Sequence, residues 1–187
     1  MSKTNHTKSI IMTAFFTTII FLGIYWFQIP MPAAVGTPFL HFGHIFVMLA
    51  VVCLGPTRSA IAGTLGFITF DILKGYIHAI PNVFVSTIIK CLLVGLIFNA
   101  MTKKANGSLK SEHKYAVICA GIYGVTNIVL DFIWNTVELV IVGSSLKAAL
   151  IAEIASIPAT IINAGFTIVG IALLYIPVKA AYKSIMR

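Results

Sequence analysis

The sequence predicts an all-α, polytopic membrane protein with six transmembrane helices, and three observations carry that expectation. First, 59% of its 187 residues are hydrophobic and only 10% are charged, against roughly 25% charged in a soluble domain. Second, the apolar residues form six runs separated by short polar or glycine- and proline-bearing connectors, each run approaching the length that crosses a bilayer. Third, the basic residues fall on alternate connectors. With no composition shift or long linker to divide it, residues 1–187 read as a single transmembrane domain.

The first run, 10–27, follows Lys3 and Lys8 and so has the outline of a signal peptide. It exceeds the about 7–15 apolar residues of such a peptide's core, and Gln28-Ile29-Pro30-Met31-Pro32 offers no small-residue cleavage site, so it is expected to be a retained membrane helix. Ala14 and Thr18 form a small-xxx-small pair on it, repeated one position earlier by Thr13 and Thr17, which permits close helix approach either inside the protein or against another membrane subunit. The connector 28–38 is proline-rich and uncharged; it should be stiff and is placed to act as a lid. Runs 39–54 and 59–73 are short, with a tight turn at Gly55-Pro56-Thr57 between them. The connector after them carries Tyr76, His78 and Asn82. Run 83–101 is followed by 103–114, which with Asn106-Gly107-Ser108 reads as an ordinary solvated connector. The last two runs, 115–142 and 146–176, are long enough to tilt or to project beyond the bilayer.

Orientation follows from charge. With the N-terminus inside, 10 of the 13 lysines and arginines lie on inner segments, Lys74 and Lys147 lie outside, and Lys90 falls within the fourth span. The positive-inside rule therefore places both termini in the cytoplasm.

The side chains that lipid disfavours crowd toward the opposite, outer end. On the fifth span Asn127, Asp131, Trp134 or Asn135, and Glu138 recur every three or four residues and share one stripe. On the sixth, Glu153, Ser156, Thr160 and Asn163 do the same, with Pro158 loosening the backbone nearby. The fourth contributes Asn82, Ser86 and Lys90; the second and third contribute His41, His44 and Asp71. Facing polar stripes make a cleft, and ionisable groups within a membrane mark functional sites by default. Lys90, about 12 Å below the outer end, either meets an acidic or phenolic ligand group or pairs internally with Asp131, Glu138 or Asp71. Trp26, Trp134 and Tyr76 fall near the outer boundary, where aromatic belts are routine and stacking on a flat ligand is the alternative.

Several function classes are excluded. The formal charge of +8 comes from loop residues that form no basic face, so nucleic-acid binding is not expected. Cys53, Cys91 and Cys119 lie inside apolar runs, lack metal-ligand spacing and read as packing residues. His41 and His44 stand at i, i+3, which alone does not define a metal site; hydrogen bonding at a helix end suits them better. No metal and no cofactor are expected. Phosphate-binding, zinc-hydrolase and nucleophile-elbow motifs are absent, and Glu138 and Glu153 have no accompanying nucleophile, so an enzyme is not expected.

Leu40-His41-Phe42-Gly43-His44, Leu54-Gly55-Pro56, Gly63, Gly66 and Asp71, then Pro81, Thr87 and Ile88-Ile89-Lys90, together resemble the S components of energy-coupling factor (ECF) vitamin transporters over nearly the whole chain. The resemblance implies a six-helix subunit that binds one water-soluble vitamin or precursor near the extracellular side. It also implies partners: a transmembrane coupling subunit and two ATPase subunits, with which such proteins reorient in the bilayer to release substrate. In that family the docking motif on the first helix is alanine-x-x-x-alanine; Ala14 and Thr18 stand at those positions here. The expected substrate-binding set is His41, His44, Asp71, Tyr76, His78, Asn82, Ser86, Lys90, Asp131, Trp134, Asn135, Glu138, Glu153 and Thr160. Carboxylates and amides beside rings suit a small, flat, hydroxylated nitrogen heterocycle, with pyridoxine or the hydroxymethylpyrimidine precursor of thiamin favoured. Two alternatives stand beside this reading: a stand-alone secondary transporter using Asp131, Glu138 and Glu153 as proton carriers, and a non-transporting membrane scaffold.

Overall fold

Inside a bilayer every backbone N–H and C=O must be satisfied by the protein itself, so apolar runs of this kind fold as helices. The structure, a computed structural model, describes residues 3–31, 39–103 and 108–186. Six α-helices run through them: α1 (Lys3–Tyr25), α2 (Gly43–Leu54), α3 (Pro56–Lys74), α4 (Ile80–Thr102), α5 (Leu109–Ile141) and α6 (Leu146–Met186). A short antiparallel pair, β1 (Ile29–Pro30) and β2 (Phe39–Leu40), sets Ile29 opposite Leu40 and Pro30 opposite Phe39.

The observed helices depart from the apolar runs in consistent ways. Residues 39–42 are not helical: Phe39 and Leu40 pair with β1, and α2 starts at Gly43. At the other ends the helices overrun the apolar signal, most of all in α6, which continues ten residues past 176 to Met186. Hydropathy marks the lipid-facing span, whereas i→i−4 bonds persist into the interface, so charged turns such as the one holding Lys179 and Lys183 extend the helix. For the same reason Lys110 and Lys114 belong to α5 rather than to a connector. Of the expected lid, 32–38 lies outside the described residues, as does 104–107 of the inner connector.

Four helical stretches are long and apolar enough to cross a membrane: His6–Tyr25, Ile77–Thr102, Leu109–Ile141 and Leu146–Met186. The protein is a multi-pass membrane protein. Helix α2, with 12 residues, is only about 18 Å long and has become the centre of the bundle. It touches all five other helices, and Val47, Met48 and Ala50 are fully buried. Around it α1 packs on α3, α3 on α4, α4 on α5 and α5 on α6. Outward positions are apolar and bare: Leu173 is 71% exposed and Leu96 62%. Such surface suits lipid, not water.

Without a hydrophobic drive between helices in lipid, packing depends on close approach at small residues. A Cβ placed on Gly66 of α3 would lie 2.8 Å from Ile20 of α1; one on Gly95 of α4, 2.8 Å from the Pro56 Cα; one on Gly124 of α5, 2.7 Å from the Ala164 Cβ on α6. At Gly55 the backbone turns with φ +83°, a conformation glycine alone adopts cheaply. Pro56 then supplies the first turn of α3, where its missing N–H costs nothing. These contacts place the C-terminal ends of α3 and α5 and the N-terminal ends of α2, α4 and α6 at one end of the bundle. Arg58, Lys103, Lys110, Lys114, Lys179 and Lys183 lie toward the other.

Candidate functional site

Between those clustered helix ends lies a cavity of about 520 Å³. Thirteen of the fourteen side chains expected from sequence line it, and Trp134 does not. The reason is angular. Asn127, Asp131, Asn135 and Glu138 keep to one stripe of α5, while position 134 lies about 100° around the helix from 135. Trp26 is likewise turned out, 69% exposed. Tyr76 alone of the three boundary aromatics faces the cavity.

The two sides of the cavity differ in chemistry. One wall, from β2 to α3 and the segment after it, is aromatic. Phe39 lies 5.4 Å from the His41 ring and 6.5 Å from Tyr76, against which it stacks. His41 follows at 4.7 Å from His44, and His44 at 5.3 Å from Phe67. The histidines are held by neighbours rather than by each other. His41 Nδ1 accepts the Gly43 N–H at 3.2 Å, at the start of α2, the helix-end role expected of it. The His44 Nδ1 and the Tyr123 hydroxyl are 3.1 Å apart. Among the described residues no three His, Cys, Asp or Glu side chains come together to hold a metal.

The opposite wall, from α4, α5 and α6, consists of carboxylates and amides joined in two relays. In the deeper one Lys90 Nζ donates to Asn127 Oδ1, and Asn127 Nδ2 donates to Asp131 Oδ2 at 2.7 Å. In the shallower one Asn82 Nδ2 donates to Asn135 Oδ1 at 3.2 Å, and Asn135 Nδ2 donates to Glu153 Oε2 at 3.2 Å. Asn127 and Asn135, both on α5, each spend both ends of the amide and tie α5 to its neighbours. A direct ion pair, one of the two roles open to Lys90 in the sequence, is therefore absent: Asn127 stands between the ammonium and Asp131, and the Tyr123 ring lies 5.6 Å from Nζ. Lys90 is only 2% exposed and still borders the cavity.

Asn163 of α6 belongs to the polar stripe but is already committed. Its Oδ1 accepts the His41 N–H and its Nδ2 donates to the Phe39 carbonyl, both at 3.0 Å. It clasps the aromatic wall to α6. By contrast, Asp71 Oδ2, Asn82 Oδ1 and Thr87 Oγ1 are buried with no hydrogen-bond partner, and all three residues line the cavity. A polar atom left unpaired in such a place costs free energy until something meets it.

Sequence reasoning missed the apolar part of the lining. Ile128, Phe132 and Leu139 sit one position beyond the polar stripe of α5, and Phe39 and Phe67 complete the aromatic side. Tyr123, one turn before Asn127, was open to detection by extending the stripe. Phe67 carried no such signal, since a phenylalanine in an apolar run is not distinctive.

Ala14 and Thr18 of α1 are both exposed on the outside of the bundle, with the Thr18 hydroxyl donating to its own helix at the Ala14 carbonyl, 3.1 Å away. Internal packing of α1 instead uses Phe16 and Ile20, which are buried, together with the backbone at Thr17, which approaches Gly66.

A family model described as ECF-type riboflavin transporter, S component, matches residues 4–183. A comparison with curated proteins gives no significant match. Among solved structures, the crystal structure of the S-component for biotin from an ECF-type ABC transporter aligns with a TM-score of 0.61 and 18% sequence identity, covering 94% of each chain. At that identity the likeness establishes the fold.

Proposed function

The chain belongs to the ECF-type riboflavin transporter S component family, and from that premise we propose that it captures a small water-soluble vitamin or precursor from the extracellular side. It then delivers the solute by reorienting in the membrane with a coupling module of one transmembrane subunit and two ATPase subunits. The observation that carries this reading is the 520 Å³ cavity, which gathers the polar side chains of five helices at the end away from most of the basic residues. Under the positive-inside rule that end faces outward, with both termini in the cytoplasm. The volume is in the range for one small ligand.

The solute we favour is a pyridoxine-like or hydroxymethylpyrimidine-like heterocycle. A flat ring fits between the Phe39–Tyr76–His44 wall and the relays opposite, where ring nitrogens and hydroxymethyl groups meet Asp71, Asn82 and Thr87. The family description names riboflavin, whose larger fused ring would draw more on Phe132 and Ile128. Ala14 and Thr18, turned outward on α1, are the proposed contact with the coupling subunit. Catalysis has no part in this reading.

The test is thermal unfolding of the purified protein in detergent against B vitamins and their precursors. A ligand at 100 times its dissociation constant adds about 2.7 kcal/mol of stability. Absence of stabilisation by every compound removes the vitamin reading. Bulky residues at Ala14 and Thr18 should abolish copurification with the coupling subunit while vitamin binding persists; unchanged copurification overturns that contact.

A further inference from the structure

The chain has five acidic residues in all, and four of them, Asp71, Asp131, Glu138 and Glu153, line this one cavity. Of its 13 lysines and arginines, only Lys90 is among the described lining residues. Four carboxylates against one ammonium leave an excess of three negative charges in formal terms. The ammonium already gives one N–H to the relay through Asn127 that ends on Asp131, and a single cation cannot balance four carboxylates. The second relay presents no compensating cation either, because Asn82 and Asn135 are neutral amides. A separate observation comes from hydrogen bonding: Asp71 is only 6% exposed and Thr87 only 1%, both line the cavity, and Asp71 Oδ2 and Thr87 Oγ1 have no partner in the protein.

From this we infer that the solute carries a positive charge, as a protonated amine or a protonated nitrogen heterocycle, with Asp71 as its principal counter-charge and Glu138 and Glu153 contributing from α5 and α6. This rests on the vitamin-capture reading and narrows it. Carboxylates crowded in a poorly hydrated cavity repel an anion and are relieved by a cation. Anionic vitamins are refused by the same charges that hold a cationic one, so the cavity selects by repulsion as well as by attraction. Neutral ligands satisfy the hydrogen bonds but leave the excess charge in place.

Three compounds on one pyridine ring isolate the effect: pyridoxamine with an aminomethyl group, pyridoxine with a hydroxymethyl group, and 4-pyridoxic acid with a carboxylate. Binding to the full chain in detergent is measured by calorimetry, alongside thiamin, riboflavin, biotin and pantothenate. The expected result is a cationic compound as the tightest binder, with the amine preferred to the acid by more than about a hundredfold, or 2.7 kcal/mol. The Asp71→Asn variant should shrink that preference at least about tenfold. Where Asp71→Asn fails to fold, Glu153→Gln is read by the same ratio. A neutral or anionic compound as the tightest binder, or a ratio that Asp71→Asn leaves unchanged, overturns the inference while vitamin capture stands. No binding by any of the seven, nor by the hydroxymethylpyrimidine precursor of thiamin, overturns both.

Discussion

The acids at the two ends of this bundle live differently. Glu112, at the basic end, has a cation in reach: its Oε2 is 3.8 Å from Lys183 Nζ and accepts the Tyr175 hydroxyl at 2.9 Å. That is the one salt bridge among the described residues. At the cavity end four acids have no salt bridge, and amides stand where cations would be expected. Folding alone favours the first arrangement, since charges within a membrane normally pair. At the cavity end Asn127 and Asn135 are interposed and Asp71 Oδ2 is left unmet, an arrangement that the protein's own stability does not call for. The acid of the basic end is met within the protein, and in the proposed reading those of the cavity end await a solute.

The contrast is broken most severely at Lys90, the one buried lysine or arginine among the described residues. Lys90→Met leaves Asp131 without positive charge behind its relay, and removing one partner of a buried charge pair costs about 3–5 kcal/mol. Thermal unfolding in detergent should show a larger drop for this variant than for any single substitution below, together with loss of ligand-induced stabilisation. The double variant Lys90→Met, Asp131→Leu should recover much of the stability but none of the binding. If the single and double variants unfold alike, the relay does not couple them.

Asn163→Leu comes next. It orphans the His41 N–H and the Phe39 carbonyl, with a cost of about 2 kcal/mol or more. Because it frees the aromatic wall from α6, ligand stabilisation should fall with it, and the His41 amide should lose protection in hydrogen exchange. A stability loss with undiminished ligand response would mean that the clasp serves folding only.

How far the sequence already held this contrast depends on the residue. Asp71, Asp131, Glu138 and Glu153 were legible because any acid in an apolar run is conspicuous, and helical period put most of them on common stripes. The same period left Trp134 and Asn135 undecided, since a stripe is broad enough to admit either, and packing between α5 and α6 chose Asn135. Asn163 was legible as polar but not as a clasp: its partners are backbone groups of a segment that hydropathy assigned to a helix. That segment, 39–42, is strand and turn because Ile29 and Pro30 are there to pair with it, a long-range fact that no local window contains. The length of α6 was hidden for the opposite reason, because hydropathy reports lipid rather than backbone bonding.

Toward the basic end Gly95→Ala tests packing without touching the residues that line the 520 Å³ cavity. Its Cβ would meet the Pro56 Cα at 2.8 Å, and backbone cannot rotate aside as a side chain can. About 1–2 kcal/mol of destabilisation is expected, visible as a lower unfolding midpoint with the ligand-induced increment intact. A reduced increment would show that the two ends are coupled through α3 and α4.

The smallest effect gives the sharpest comparison, because one chemical change can be made at both ends. Glu112→Gln removes the charge facing Lys183, whose side chain is 48% exposed, so the pair contributes at most about 1 kcal/mol; the glutamine carbonyl still accepts the Tyr175 hydroxyl. Stability should hardly move, and ligand binding should not move at all. Glu153→Gln is the same substitution, and the new side chain can still accept from Asn135, yet it removes a charge that has no cation beside it. Relief of carboxylate crowding should leave the empty protein as stable or more so, while the affinity for a cationic solute falls. If Glu112→Gln and Glu153→Gln have equal effects on stability and on binding, the acids at the two ends are equivalent, and the cavity's charge serves no solute.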